Sequence, residues 1–269
     1  MSDLPIELHQ LILSHADFLT QIRLRCANKA LHAKLEIHDF YNIDDKYLYR
    51  LTDDILRSYP FITKLDFRCY HCTNINHLTR LETLSVGTNL PLGNDGISNL
   101  VNLKELYINC YSPITNLNHM TKLEFLTVVH SRIDNEGISK LNLRELHILG
   151  ESKFTDLNHM TRLEKLHASG DCGIGDTGIA NLNLKELNAQ SNPKITNVNH
   201  MTRLEILNAD FVCGIDANGI SKLKLKKLIA ENNPKITKKE PIVPDLHTYA
   251  TIYNYFRIQE GSAILRYDT

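Results

Sequence analysis

The chain has 269 residues, room for one large domain or two modest ones, and its 30 Lys+Arg against 31 Asp+Glu leave a formal net charge of -1. That balance offers no basic face for nucleic acid or an anionic membrane, and no uncharged apolar run approaches the ~20 residues that cross a bilayer. Its six cysteines form no regular framework and no apolar leader follows Met1, so the expected protein is reduced and soluble, cytoplasmic or nuclear, and monomeric outside its complexes.

Residues 2–35 do not repeat. Leu8, Leu11 and Ile12 fall at i, i+3 and i+4 and predict a helix whose first turn suits Pro5 and Glu7. A second helix is predicted from about Asp17, carrying Phe18, Leu19, Ile22 and Cys26, and a third pattern runs from Leu31 to Leu35. Taken in order, Leu4-Pro5-Ile6-Glu7-Leu8, Leu11-Ile12-Leu13-Ser14, Phe18-Leu19, Arg23-Leu24-Arg25-Cys26 and Leu31 resemble an F-box. Leu31 stands where that family usually has Trp, and this chain has no Trp. The resemblance implies a helical module over 1–38 in which Leu4, Pro5, Leu8, Leu11, Ile12 and Phe18 hold a Skp-type adaptor of a cullin ubiquitin ligase. The other reading of the same helices is a cap over the first coil of a solenoid.

From residue 74 onward two phrases alternate. The first is Asn74 to Arg80 (NINHLTR), repeated at 116–122, 156–162 and 197–203, with His77, His119, His159 and His200 spaced by 42, 40 and 41 residues. The second is Gly-Ile at Gly96, Gly137, Gly178 and Gly219, at three intervals of 41. Such a period means stacked units that bury their apolar edges only against neighbours. Each unit holds two coils with the frame Leu-x-x-Leu-x-apolar, beginning at Ile62, Leu81, Leu103, Leu123, Leu143, Leu163, Leu184, Leu204 and Leu225. The alternation around Leu187 predicts a short strand with Leu187 and Ala189 inward. The stretch from Asn192-Pro193 to Asn197 carries the Pro and Asn of a turn and predicts one with Ile195 pointing into the core, Thr196 or Asn197 then capping a return segment. In the other coil Asp176 is expected to cap a short helix that ends near Leu182.

Strand, turn and return helix in about 20 residues resemble the leucine-rich repeat, on the frame and on an Asn at its ninth position (Asn89, Asn192, Asn233). The resemblance implies an α/β solenoid with a curved parallel sheet on its concave side and short helices or turns on the convex side. It also implies that the ninth-position Asn bonds the backbone of its turn, a ladder left incomplete where Tyr70, Tyr111 and Val212 replace it. The sixth position shrinks from Phe67, Val86, Ile108, Val128 and Ile148 to Ala168, Ala189, Ala209 and Ala230, so the last coils should pack thinner. The solenoid is expected over 39–240, with a degenerate first coil at 39–61 and a C-terminal cap at 241–269.

Chemistry is sparse. The four phrase histidines sit two coils apart, at least ~10 Å at the strand spacing, too far to share metal ions, so they are expected to bond local backbone. Cys69-Tyr70-His71-Cys72 has a CxxC spacing without a second pair and is read as part of a turn. His147 and His167 hold the fifth position of adjacent coils, a pair better suited to partner contact than to metal. Neither a phosphate-cradling glycine loop nor a nucleophile–base–acid set is present, so no catalysis, metal or cofactor is expected.

The third, fifth, seventh and eighth frame positions should face the concave sheet. They nominate Tyr107, Phe125, Glu145, His147, Lys165, His167, Glu186, Asn188, Asn208, Asp210 and Phe211 as partner-binding residues, with Glu105 and Asn109 beside them. Tyr107, Phe125, Val129, Leu149, Ile206 and Phe211 should be exposed there, apolar groups rimmed by charge that suit a protein contact. An F-box ahead of leucine-rich repeats is a common order in ubiquitin-ligase substrate adaptors. The resemblance therefore implies a non-enzymatic adaptor holding a protein substrate on its concave face. The alternative is a free-standing interaction scaffold whose N-terminal helices only cap it.

Overall fold

A computed structural model describes residues 5–236 apart from 28, 42 and 110. Leu4 and the expected C-terminal cap at 241–269 lie outside the described residues.

The chain opens with helices α1 (Ile6–His15), α2 (Phe18–Cys26) and α3 (Lys29–Lys34). Asp17 starts α2 by accepting the Thr20 backbone N–H at 3.0 Å, which satisfies one of the first-turn donors. Strand β1 (Asp39–Phe40) follows, then the short helices α4 (Asp45–Leu48) and α5 (Asp53–Arg57). Thr52 caps α5 through the Ile55 N–H.

Nine further strands come one per coil: β2 (Lys64–Phe67), β3 (Thr83–Val86), β4 (Glu105–Ile108), β5 (Phe125–Val129) and β6 (Glu145–Leu149). The array ends with β7 (Lys165–Ala168), β8 (Glu186–Asn188), β9 (Ile206–Asn208) and β10 (Lys227–Ile229). All ten form one parallel sheet in sequence order, so each strand pairs only with the coil before and the coil after it. The return segments are brief: α6 (Asn94–Ile97) and single 3₁₀ turns at Glu136–Ile138, Asp176–Ile179 and Asn218–Ile220. This is the leucine-rich-repeat solenoid.

The frame leucines make its core. Leu65, Leu84, Leu106, Leu126, Leu146, Leu166, Leu187 and Leu207 are opposite one another in register, each wholly buried, and each burial is worth roughly 1.5–3 kcal/mol. Leu187, Ala189 and Ile195 are buried as their pattern predicts. Phe154, in the turn after β6, is wholly buried as well.

The two phrases turn out to be halves of one clamp. Asn76, Asn118, Asn158 and Asn199 each donate to a backbone carbonyl of the next coil's return segment, at 2.7–2.8 Å. The same side chains accept the N–H of Asn99, Lys140, Asn181 and Lys222, all at 2.8 Å. Between them the N–H of Ile75, Leu117, Leu157 and Val198 bonds the carbonyls of Gly96, Gly137, Gly178 and Gly219. A Cβ on any of these glycines would collide with a threonine carbonyl oxygen of the preceding coil, so the close approach requires glycine. His119, His159 and His200 bond the carbonyls of Ile97, Ile138 and Ile179 at 2.9–3.2 Å, which is backbone bonding of the kind expected but across coils. His77 alone of the four has ring nitrogens enclosed without a hydrogen bond among the described residues. Burial, then the nearby Arg57, pushes its imidazole below the ordinary value.

Three local expectations are corrected. Asp176 does not cap its own return turn; its carboxylate accepts the N–H groups of Thr196 and Asn197 in the next coil, as Asn94 and Asn135 do for 115–116 and 155–156. Asn192 and Asn233 do form the ninth-position bonds, Asn192 to Ala168 and Ile174 and Asn233 to Ala209 and Ile215. Asn89 does not: it lies exposed at φ 57°. Cys69 and Cys72, read as free thiols in a turn, are joined to each other in a disulfide.

Candidate functional site

Two surfaces carry the residues nominated from sequence. On α1 the amphipathic pattern places Leu13 and His9 inward and leaves Leu8, Leu11 and Ile12 44%, 56% and 51% exposed; Leu19 on α2 adds 37%. Four large aliphatic side chains in water on two adjoining helices are unusual, because each forgoes the burial its size offers. Pro5 is exposed at the start of α1. Phe18 is not on this face. It packs edge-on against Phe40 at 5.1 Å and near Tyr47, joining the helices to the first coil. Gln10 strengthens that joint by donating to the Glu36 carbonyl at 2.8 Å and accepting its N–H at 3.0 Å. Arg25 adds a bond to the Ser58 carbonyl and lies over the Tyr59 ring.

The second surface is the face of the sheet turned away from the core. Parallel pairing sets the third frame positions in one row, Glu105, Phe125, Glu145, Lys165, Glu186 and Ile206. The fifth positions form the next row, Tyr107, Thr127, His147, His167, Asn188 and Asn208. Aromatic rings run obliquely across both. Tyr41 lies 6.3 Å from Tyr107, Tyr107 is 5.0 Å from Phe125, and Phe125 meets His147 edge-on at 5.0 Å. His147 then stacks on His167 with centroids 3.9 Å apart and planes 8° off parallel.

That stack is held by carboxylates. His147 donates Nε2–H to Glu145 at 2.8 Å, and His167 Nε2 lies 3.8 Å from Glu186. Lys165 sits between the two glutamates, 3.9 Å from Glu145 and 3.7 Å from Glu186. Burial holds the His147 imidazole below its ordinary value, against the pull of the Glu145 hydrogen bond. The Glu145 carboxyl is pushed up by burial, but the His147 bond and nearby charges more than offset this and leave it below the usual carboxylate value. Glu186 is likewise lowered, first by its contact with His167.

The nominated residues other than Phe211 are therefore brought onto one face, but less exposed than expected. His147, His167, Asn208 and Asp210 are buried among their neighbours; Tyr107, Phe125, Val129, Leu149 and Ile206 are half-buried. Strands about 4.8 Å apart pack third- and fifth-position side chains against each other, and frame position alone does not reveal this. Towards β9 the face satisfies itself. Asn188 and Asn208 accept the N–H of Gln190 and Asp210, and Asp210 accepts that of Asn232. Phe211, at φ 56° and exposed, belongs to the rim where the strand turns, not to the sheet face. What remains open is a groove of about 360 Å³ over β4–β7, with Phe125 in its lining. Glu124, a second-position residue that the frame rule leaves out, also lines it. Its signal was the second-position series Glu82, Lys104, Glu124, Arg144, Glu164, Lys185, Glu205, Lys226, which alternates in sign from the coil at Leu81 onward.

Among the described residues no group of three or more His, Cys, Asp or Glu is arranged to hold a metal ion, and no helix is long and apolar enough to cross a membrane. No protein-family model matches the chain, and no curated protein matches it. Similar solved structures include an internalin (inlF) from Listeria monocytogenes str. 4b F2365, 20% identical with a TM-score of 0.46 over 70% of this chain and 59% of that one. TLR13 in its complex with ssRNA13 is 18% identical, with a TM-score of 0.45 over 71% of this chain and 32% of TLR13. The functional domain of InlJ from Listeria monocytogenes is 17% identical, with a TM-score of 0.34 over 69% and 56%. The chain spans less than two thirds of the length of each.

Proposed function

We propose that the chain is a non-enzymatic interaction adaptor: the N-terminal helices hold a Skp-type adaptor of a cullin ubiquitin ligase, and the sheet face holds a protein substrate. Its contribution to chemistry would be proximity between substrate and ligase, in the cytoplasm or nucleus. The observation that carries the reading is the exposed row Leu8, Leu11 and Ile12, with Leu19 beside it. A helix that served only as a cap would turn its large aliphatic residues toward the solenoid; this one keeps Leu13 for that purpose and presents three more to solvent. In the resemblance to the F-box those are among the docking positions.

The second reading, a free-standing scaffold capped by these helices, is favoured by the joint that Gln10, Phe18 and Arg25 make with the first coils. A pull-down separates the two. Purified Skp-type adaptor should be retained by the wild type and lost on Leu8→Asp with Leu11→Asp, which leaves the joint untouched. Equal retention by both, or retention by neither, overturns the adaptor reading and leaves the scaffold.

A further inference from the structure

The groove over β4–β7 has an aromatic floor between carboxylates. In register, Phe125 on β5 stands directly between Glu105 on β4 and Glu145 on β6. Glu124 precedes Phe125 and opens on the same space. The three cations of the groove are already engaged: Lys104 with Glu82 at 2.9 Å, Arg144 with Glu164 at 3.9 Å, and Lys165 with Glu145 and Glu186 at 3.9 and 3.7 Å. Glu105 has only the Thr83 hydroxyl at 3.4 Å, and Glu124 makes no ion pair among the described residues. Subtracting the internal pairs leaves two carboxylates beside an aromatic ring, and no unmatched cation.

We propose that this groove takes an arginine side chain from an extended segment of the protein substrate. The guanidinium would lie on Phe125 and be met by Glu105 and Glu124. A planar cation suits the site on two counts: it stacks on an aromatic face, and it offers paired N–H donors to a carboxylate. An acidic side chain would have to displace an existing partner from Lys104, Arg144 or Lys165 before meeting any positive charge. A phosphate backbone meets the same obstacle along the whole groove. The proposal rests on the sheet face being the substrate surface and specifies the chemistry read there.

The test is an NMR titration of the full chain with three pentapeptides, Ac-Gly-Ser-Arg-Ser-Gly-amide and its lysine and glutamate counterparts. The arginine peptide should shift the amides of Glu105, Phe125 and Glu145 and bind more tightly than the lysine peptide, with no response to the glutamate peptide. Glu105→Gln with Glu124→Gln should weaken it at least about fivefold, and Phe125→Leu by about two- to fivefold. Equal binding of the arginine and glutamate peptides by the wild type overturns the proposal without reliance on any variant. So does undiminished binding to a double variant that melts like the wild type. Neither result touches the pull-down with the adaptor, so failure here and failure of the adaptor reading are told apart.

Discussion

At the scale of the residue, His147 makes stability depend on pH. His147 is held below its ordinary 6.5, mainly by burial. Just below that value the folded chain binds fewer protons than the unfolded one. Its contribution is therefore complete above about pH 6.5 and is lost as pH falls through the lower folded value. Glu145 and Glu186, held below 4.5, add a second loss at more acid pH with the same sign. Thermal unfolding should be level between about pH 7 and pH 8, decline below pH 6.5, and decline again below pH 4.5. In His147→Phe, which keeps a ring against Phe125, the upper decline should shrink; an unchanged profile would show that His147 does not contribute to it. A residue-scale test of the clamp is Gly178→Ala. Its new Cβ would strike the Thr155 carbonyl oxygen, backbone that cannot swing aside, so a loss of about 1–3 kcal/mol is expected by calorimetry. A melting temperature equal to the wild type's would show that the coils can part there freely.

At the scale of the element, each strand is only three to five residues long from β2 onward and owes its place to its neighbours. The sequence showed which residues enter the core because packing repeats every coil: Leu187 and Ala189 had to be inward once the frame was seen. It did not show who caps whom. Asp176 carries the usual marks of a helix cap, and only the stacking of coils puts Thr196 within its reach. Phe154 is the opposite case: it holds the twelfth frame position, where Leu92, Ile114, Ile174, Ile195 and Ile215 are also wholly buried, so the frame does predict its burial. Phe154→Ala should cost about 3–5 kcal/mol, at the top of the range for a single core residue, because it empties the space of a wholly buried ring. A denaturant midpoint shifted by less than half of that would mean the coil collapses around the gap.

At the scale of the whole molecule, the clamp makes the 41-residue pair of coils the structural unit, since its asparagines and histidines come from one kind of coil and its glycines from the other. Deleting residues 137–177 joins Glu136 to Gly178 and preserves the alternation. Deleting residues 143–162, a single coil, sets two glycine-bearing coils side by side. The longer deletion should melt cooperatively and the shorter one at a markedly lower temperature, followed by circular dichroism. The reverse order would make the single coil the unit.

The sequence by itself determined the solenoid, its register and the identity of the core, because a period of 41 with a fixed apolar frame admits one way of burying its leucines. It also determined which residues share the sheet face, Phe211 on the rim excepted. Only the tertiary structure decided how open that face is. Side chains a strand spacing apart compete for the same space and the same hydrogen bonds, so His147 and His167 close on each other, Asn208 turns to the Asp210 N–H and Asp210 to that of Asn232 in the next coil, and the groove at Phe125 stays open. Likewise the apolar spacing on α1 predicted the helix, and it took the packed helices to show that Leu13 turns to the core while Leu8, Leu11 and Ile12 remain in solvent.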